Sequence, residues 1–133
     1  MHMQGTPRTM QNDPKYTDVV DEVEQFLTQR VRAVFERNSI ATVYVDPGIG
    51  FGKTLQHNID LLHAIERFNH IAPVVVGISR KKFLGIITGI ENAAERDGAT
   101  MMLHSLLLAQ PIAIARVHNV AMMKQLKEIS FAV

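Results

Sequence analysis

The stretch Ile40-Ala41-Thr42-Val43-Tyr44-Val45-Asp46-Pro47-Gly48-Ile49-Gly50-Phe51-Gly52-Lys53-Thr54 decides the fold. Its first six residues are rich in β-branched side chains with little polar alternation, which predicts a strand buried on both faces. Asp46-Pro47-Gly48 ends that strand, and Leu55 to Asn69 then carries apolar residues at helical spacing through Ile59, Leu62, Ile65 and Phe68. Strand, glycine-rich loop and helix recur downstream. Pro73 to Ile78 reads as a second buried strand, with Ser79 as the expected cap of a short helix over Lys81 to Thr88. A longer helix from about Ala94 to Ala109 precedes a third strand, Ile112 to Val117, and an amphipathic helix marked by Val120, Met123, Leu126 and Ile129. Upstream, either Thr17 or Asp18 is placed to cap a helix whose apolar positions are Val19, Val20, Val23, Phe26, Leu27, Val31, Val34 and Phe35. Strand followed by helix, repeated, argues for an α/β fold with parallel strands and right-handed crossovers. Met1-His2-Met3 runs directly into a turn-rich loop, Gln4 to Tyr16, and reads as the end of a further strand.

The 133 residues are 47% hydrophobic and 20% charged, the make-up of one globular domain. Fourteen Lys and Arg against thirteen Asp and Glu leave a net charge of +1 and no basic stripe, so nucleic acid is not an expected partner. No apolar run reaches the roughly 20 residues of a membrane span. The absence of Cys rules out disulfides, thiolate metal sites and a cysteine nucleophile, and the expected compartment is the cytoplasm.

Both doubly wound sheets and β/α barrels bind ligands at the carboxyl ends of their strands, which directs attention to the loops after Met3, Val45, Ile78 and Val117. The loop ending Gly52-Lys53-Thr54 invites a P-loop reading, but that motif needs glycine five positions before Gly52, where Pro47 stands without an N–H. The dinucleotide fingerprint fails too, since its third glycine comes one residue too soon. Three alternate glycines permit a tight path with positive φ and leave Asp46 at the mouth of a pocket. A carboxylate there suits a paired donor edge such as the amino-pyrimidinone of a pterin or guanine; the plainer alternative is a connection with no ligand. Arg80-Lys81-Lys82 places three cations at a helix start, where the macrodipole opposes them. Either they form a solvated turn or an anionic or carbonyl-rich ligand offsets the repulsion. Arg116 and His118 share a strand face just before a helix that Asn119 can cap, a constellation suited to an anion, against the alternative of a satisfied His and a surface Arg. His63 and His70 lie about 10 Å apart along a helix, too far to share a metal. With His57 and His104 they read as surface or interface residues, and Met101, Met102, Met122 and Met123 as packing residues.

Taken together, Met1 to Met10, Asp46 to Thr54, Ser79-Arg80-Lys81, Glu95-Arg96 and Arg116-Val117-His118 resemble dihydropteroate synthase in order, spacing and strand-end context. The resemblance runs over the whole chain, 1–133, and implies a pterin-binding domain fragment: the C-terminal half of a TIM-type (β/α)8 barrel, from the end of strand five through helix eight. A full barrel needs about 250 residues. The implied reaction joins p-aminobenzoate to a dihydropterin diphosphate and releases diphosphate, in cytoplasmic folate biosynthesis, and implies a sulfonamide target. Under the resemblance Asp46 pairs with the amino-pyrimidinone edge, Lys81 contacts the pterin ring, Gly77 leaves room beside it and Met3 lines its pocket. Phe51 faces the aminobenzoate, while Arg116 and His118 hold the diphosphate; Lys81, Arg116 and His118 are the expected catalytic residues. Magnesium is expected, with its protein ligand in the absent half. Two positions depart from the family pattern, Lys82 in place of Ser and Ile49 in place of Phe. A half-barrel leaves about six interior side chains uncovered. The chain is therefore expected to be inactive alone and homo-oligomeric, its open face covered by exchanged elements or strand edges paired between chains, with a second contact through the helices of 94–109 and 120–129. The alternatives are a pterin-binding methyltransferase, which has no diphosphate for Arg116 and His118 to hold, and a non-catalytic oligomerising half-barrel.

Overall fold

The computed structural model describes residues 1–37 and 42–132. The first helix, α1 (Val19–Arg37), starts at Asp18, whose Oδ1 accepts from the N–H groups of Val20 and Asp21, each at 2.9 Å. Side chains spaced by four residues, Val19, Val23, Leu27 and Val31, make its buried stripe. Phe35, expected on that face, is 54% exposed in the last turn. The predicted helix over Leu55 to Asn69 is two, α2 (Leu55–His63) and α3 (Ile65–Asn69), interrupted at Ala64 where nothing in the side chains explains the break. Thr54 and His57 form the capping box that starts α2. His57 therefore has a structural task, while His63 and His70 are exposed as expected.

Strand β1 (Val74–Val76) pairs in parallel with β2 (Ile112–Ala115), and Arg116 N–H extends the ladder by one bond to the Val76 carbonyl, 2.8 Å. On the other side of β1, Val45 forms an isolated parallel bridge with Val74. The strand predicted over Ile40 to Val45 lies partly outside the described residues; of the remainder only Val45 pairs, and Tyr44 is 48% exposed. Val74 and Val76, on one face of β1, have no exposure, whereas Val75 on the other face is half-buried, so the expected burial on both faces is not seen. Met1 to Met3 form no strand, although His2 N–H donates to the Asp46 carbonyl at 3.0 Å and so aligns the two segments.

After β1 come α4 (Lys82–Thr88), a 3-10 turn (Ala93–Arg96) capped by Asn92, α5 (Asp97–Leu106), β2 and α6 (Val120–Ala132). The core joins α1, α2, α3 and β1 around Phe68, Leu61, Ile65 and Val76, all fully buried. Truncating Phe68 to Ala would cost about 3–5 kcal/mol through the cavity left behind. Packing thins toward the chain end: α6 buries no side chain, and Ile114 of β2 is 43% exposed. Met102 is 71% exposed, so it is not the packing residue expected, whereas His104, expected at the surface, is buried.

Candidate functional site

The carboxyl ends of Val45, β1 and β2 open on one side, and the loops leaving them line a cleft of about 760 Å³. Phe51, Gly77, Lys81, Arg116 and His118, all singled out from sequence, line it together, with Met10, Ser79, Arg80 and Asn92. Asp46 and Met3 do not. Asp46 is half-buried outside the lining, its Oδ1 accepting the Gly48 N–H at 2.7 Å, and Met3 follows the His2–Asp46 bond without lining the cleft.

The glycine loop takes the positive-φ path the sequence suggested, with φ of +73° at Gly48 and +79° at Gly50. Close approach is a second requirement: a Cβ on Gly48 would meet the His2 carbonyl at 1.8 Å, and one on Gly50 would meet the Lys81 stem at 2.9 Å. Four successive carbonyls of this loop are each taken by a different side chain. Lys81 Nζ donates to Ile49 (2.7 Å), Gln11 Nε2 to Gly50 (2.8 Å), Lys53 Nζ to Phe51 (2.9 Å) and the Tyr16 hydroxyl to Gly52 (2.8 Å). Buried Asn58 accepts the Gly50 N–H through Oδ1 and returns its own amide N–H to the Thr54 carbonyl. The loop is therefore rigid before any ligand arrives.

Two lysines feel the charge of Asp46. Burial pushes Lys53 and Lys81 down to about 8; the Asp46 charge opposes that shift in both, while Lys81 acting on Lys53, and Arg116 acting on Lys81, reinforce it. Lys81 also lies over the Phe51 ring, 3.8 Å from its centroid. The basic turn is thus not a solvated one at Lys81. Arg80, at φ +60°, turns away and donates through Nε and Nη2 to the two carboxylate oxygens of Asp97, at 2.7 and 2.8 Å. The Arg80 fork and then the Asn119 amide draw Asp97 down to about 2. Asn119 thereby ties the loop after β2 to α5 while its Oδ1 accepts the Met122 N–H at the start of α6.

Arg116 and His118 are exposed on one face of the chain leaving β2, as their spacing predicted. The Arg116 guanidinium lies across Gly77, where an added Cβ would be 3.0 Å from Nη2. The open space at Gly77 is therefore filled by Arg116. Ser79 does not cap α4, whose cap position is Lys81 without a side-chain bond; its hydroxyl instead accepts the His118 N–H at 3.2 Å and bonds His118 Nδ1 at 3.0 Å. Buried Arg96 braces the wall from behind, donating to the carbonyls of Ile90, Arg80 and Glu91.

Two cations, Lys81 and Arg116, the Phe51 ring and the Asp46 carboxylate outside the lining are groups that could together hold a flat, donor-edged ring bearing an anionic tail. The pterin binding enzyme family matches residues 1–118. The chain belongs to that family. It is 42% identical over 125 residues to dihydropteroate synthase of Neisseria meningitidis serogroup B, an alignment covering 90% of this chain and 44% of that protein. The chain thus spans less than half the length of the curated relatives it matches. The crystal structure of dihydropteroate synthase from Stenotrophomonas maltophilia superposes with a TM-score of 0.91 at 42% identity, over 98% of this chain and 50% of that one. Two structures of the Thermus thermophilus enzyme, in complex with 4-aminobenzoate and with 6HMPPP, each match at 35% identity and a TM-score of 0.87. They align with 96% of this chain and with 53% and 51% of theirs. These neighbours give the chain an α/β fold of the dihydropteroate synthase kind.

Lys53 and His2 were not legible as site residues. Gly52-Lys53-Thr54 carries the signature only of a phosphate loop, and the pairing of Lys53 with His2 crosses 51 residues and needs the fold.

Proposed function

We propose that this chain supplies the pterin-diphosphate half of a dihydropteroate synthase site, built on the C-terminal half of a (β/α)8 barrel comprising residues 1–133 and working in the cytoplasm. The observation that supports it best is the convergence of Phe51, Gly77, Lys81, Arg116 and His118 on one cleft at the strand ends. In this reading Asp46 accepts the two parallel N–H groups of the amino-pyrimidinone, and Met3 closes the ring's far side. Lys81 leaves the Ile49 carbonyl to meet the ring. Arg116 and His118 bind the diphosphate, with Ser79 holding the imidazole in place. The aminobenzoate nitrogen, positioned against Phe51, forms a bond to the methylene carbon while the carbon–oxygen bond to diphosphate breaks. The electron pair leaves with the diphosphate, and the aniline proton passes to solvent. Stabilising that departing charge is the main catalytic task, which needs cations and geometry more than an acid–base pair.

Among the described residues no three His, Asp or Glu converge as a cation site. No step above runs through Mg2+, and the magnesium implied by the resemblance would take its protein ligand from outside this chain. Arg116 and His118 favour the synthase over a pterin-binding methyltransferase, which has no diphosphate to hold. The test is product formation from dihydropterin diphosphate and p-aminobenzoate. The chain alone should form no dihydropteroate, and mixing it with the complementary barrel half of the Neisseria meningitidis enzyme should restore turnover. Turnover by the chain alone, or none with the complementary half added, would contradict the reading.

A further inference from the structure

Lys53 is 4% exposed, and its ammonium has two protein partners among the described residues, the Phe51 carbonyl at 2.9 Å and His2 Nδ1 at 3.1 Å. An ammonium only donates, so His2 must accept at Nδ1 and carry its proton on Nε2. Burial and the Lys53 charge hold His2 neutral, lowering it to about 4. The His2 ring is fixed in turn by edge-on packing against Phe26, with centroids 5.0 Å apart. Lys53 thus ties the carbonyl of Phe51 to a ring anchored on α1, and Phe51 in turn carries the ammonium of Lys81 on its face. Bare Gly48 lets the His2 backbone come this close, since a Cβ there would stand 1.8 Å from the His2 carbonyl oxygen.

We propose that Lys53 is a positioning residue, which sets Phe51 beneath Lys81 and so shapes the ring slot without touching the ligand. The assignment rests on the proposed reading of Phe51, Lys81 and Asp46 as ligand contacts. Its first consequence is independent of any ligand: the Cε protons of Lys81 lie in the shielding cone of the Phe51 ring.

The experiment uses the full 133-residue chain, isotopically labelled, with Lys53→Met, which keeps the stem and removes the charge, and His2→Phe, which keeps the ring and removes the acceptor. In the unsubstituted chain the Lys81 Cε protons should resonate upfield of ordinary lysine. In Lys53→Met they should return to the ordinary range, and His2→Phe should move them the same way. Calorimetric titration with dihydropterin diphosphate should then show binding at least tenfold weaker in Lys53→Met. An upfield shift retained in the folded variants would overturn the proposal whatever the binding. A lost shift with unchanged binding would overturn it equally. Should Lys53→Met fail to fold, the His2→Phe shift decides. If the unsubstituted chain binds no pterin diphosphate, the functional reading fails, and the ring shift still decides the role of Lys53.

Discussion

Asp46 shows how one residue's chemistry follows from its neighbours. It follows Val45, feels the charges of Lys53 and Lys81, and spends one oxygen on the Gly48 N–H, which fixes the carboxylate plane and leaves acceptor capacity for a ligand. Asp46→Asn replaces one acceptor with a donor facing the ligand's own N–H. Pterin affinity should fall by about 2–5 kcal/mol in titration calorimetry, and a change below threefold would remove Asp46 from the site. Arg116 addresses only the anionic tail, so Arg116→Ala should weaken dihydropterin diphosphate at least tenfold more than the diphosphate-free pterin. Equal weakening of both would make Arg116 a support of Gly77 alone. These residues were legible because strand ends and residue type suffice to nominate them. Lys53 and His2 were not, because neither motif nor periodicity says which carbonyl an ammonium will meet across the fold.

At the scale of elements, two titrating clusters join segments distant in sequence, and their shifts act in different pH windows. His2 links the chain start to the glycine loop and is lowered from 6.5 to about 4. Between those values the unfolded chain binds the extra proton, so stability rises with pH through this window and is lost as pH falls through it, by on the order of 2–3 kcal/mol. His104 adds to the same trend: burial lowers it, its Nδ1 bonds the Thr100 carbonyl, and its Nε2 has no partner among the described residues. Melting temperature should therefore drop between pH 6.5 and 4, and the drop should be smaller in His2→Phe. An equal drop in that variant would show that His2 is not buried neutral. Asp97, drawn down to about 2 by Arg80 and Asn119, contributes stability that is fully present above its unfolded value and lost only as pH falls toward 2. Asp97→Ala should accordingly loosen the loops after β1 and β2 at neutral pH, read as faster amide exchange at Arg80 and Asn119. Helix order and type were readable from period alone. The break at Ala64, the 3-10 start before α5 and the short strands were not, because each depends on packing that the local sequence does not encode.

The whole molecule is lopsided. Its core gathers around α1, α2, α3 and β1, while Leu106, Val120, Ile129 and Phe131 stand 61–79% exposed on α5 and α6. Apolar surface of that kind calls for a cover. The chain should associate with itself through α5 and α6; light scattering that returns a monodisperse monomer at micromolar concentration would refute that. Phe131→Glu should shift the distribution toward monomer. The length of a barrel predicts uncovered side chains on the open face of the half-barrel; the exposure described here lies on α5 and α6 instead, where Met122, Met123 and Leu126 are no more than half-buried. The account stands or falls on whether these strand ends hold a pterin and its diphosphate together. Titration calorimetry of the full chain with dihydropterin diphosphate tests that most directly. Saturable binding of one ligand per chain, at least tenfold tighter than the diphosphate-free pterin, is the predicted result; no saturable heat, or equal affinity for both ligands, would contradict it.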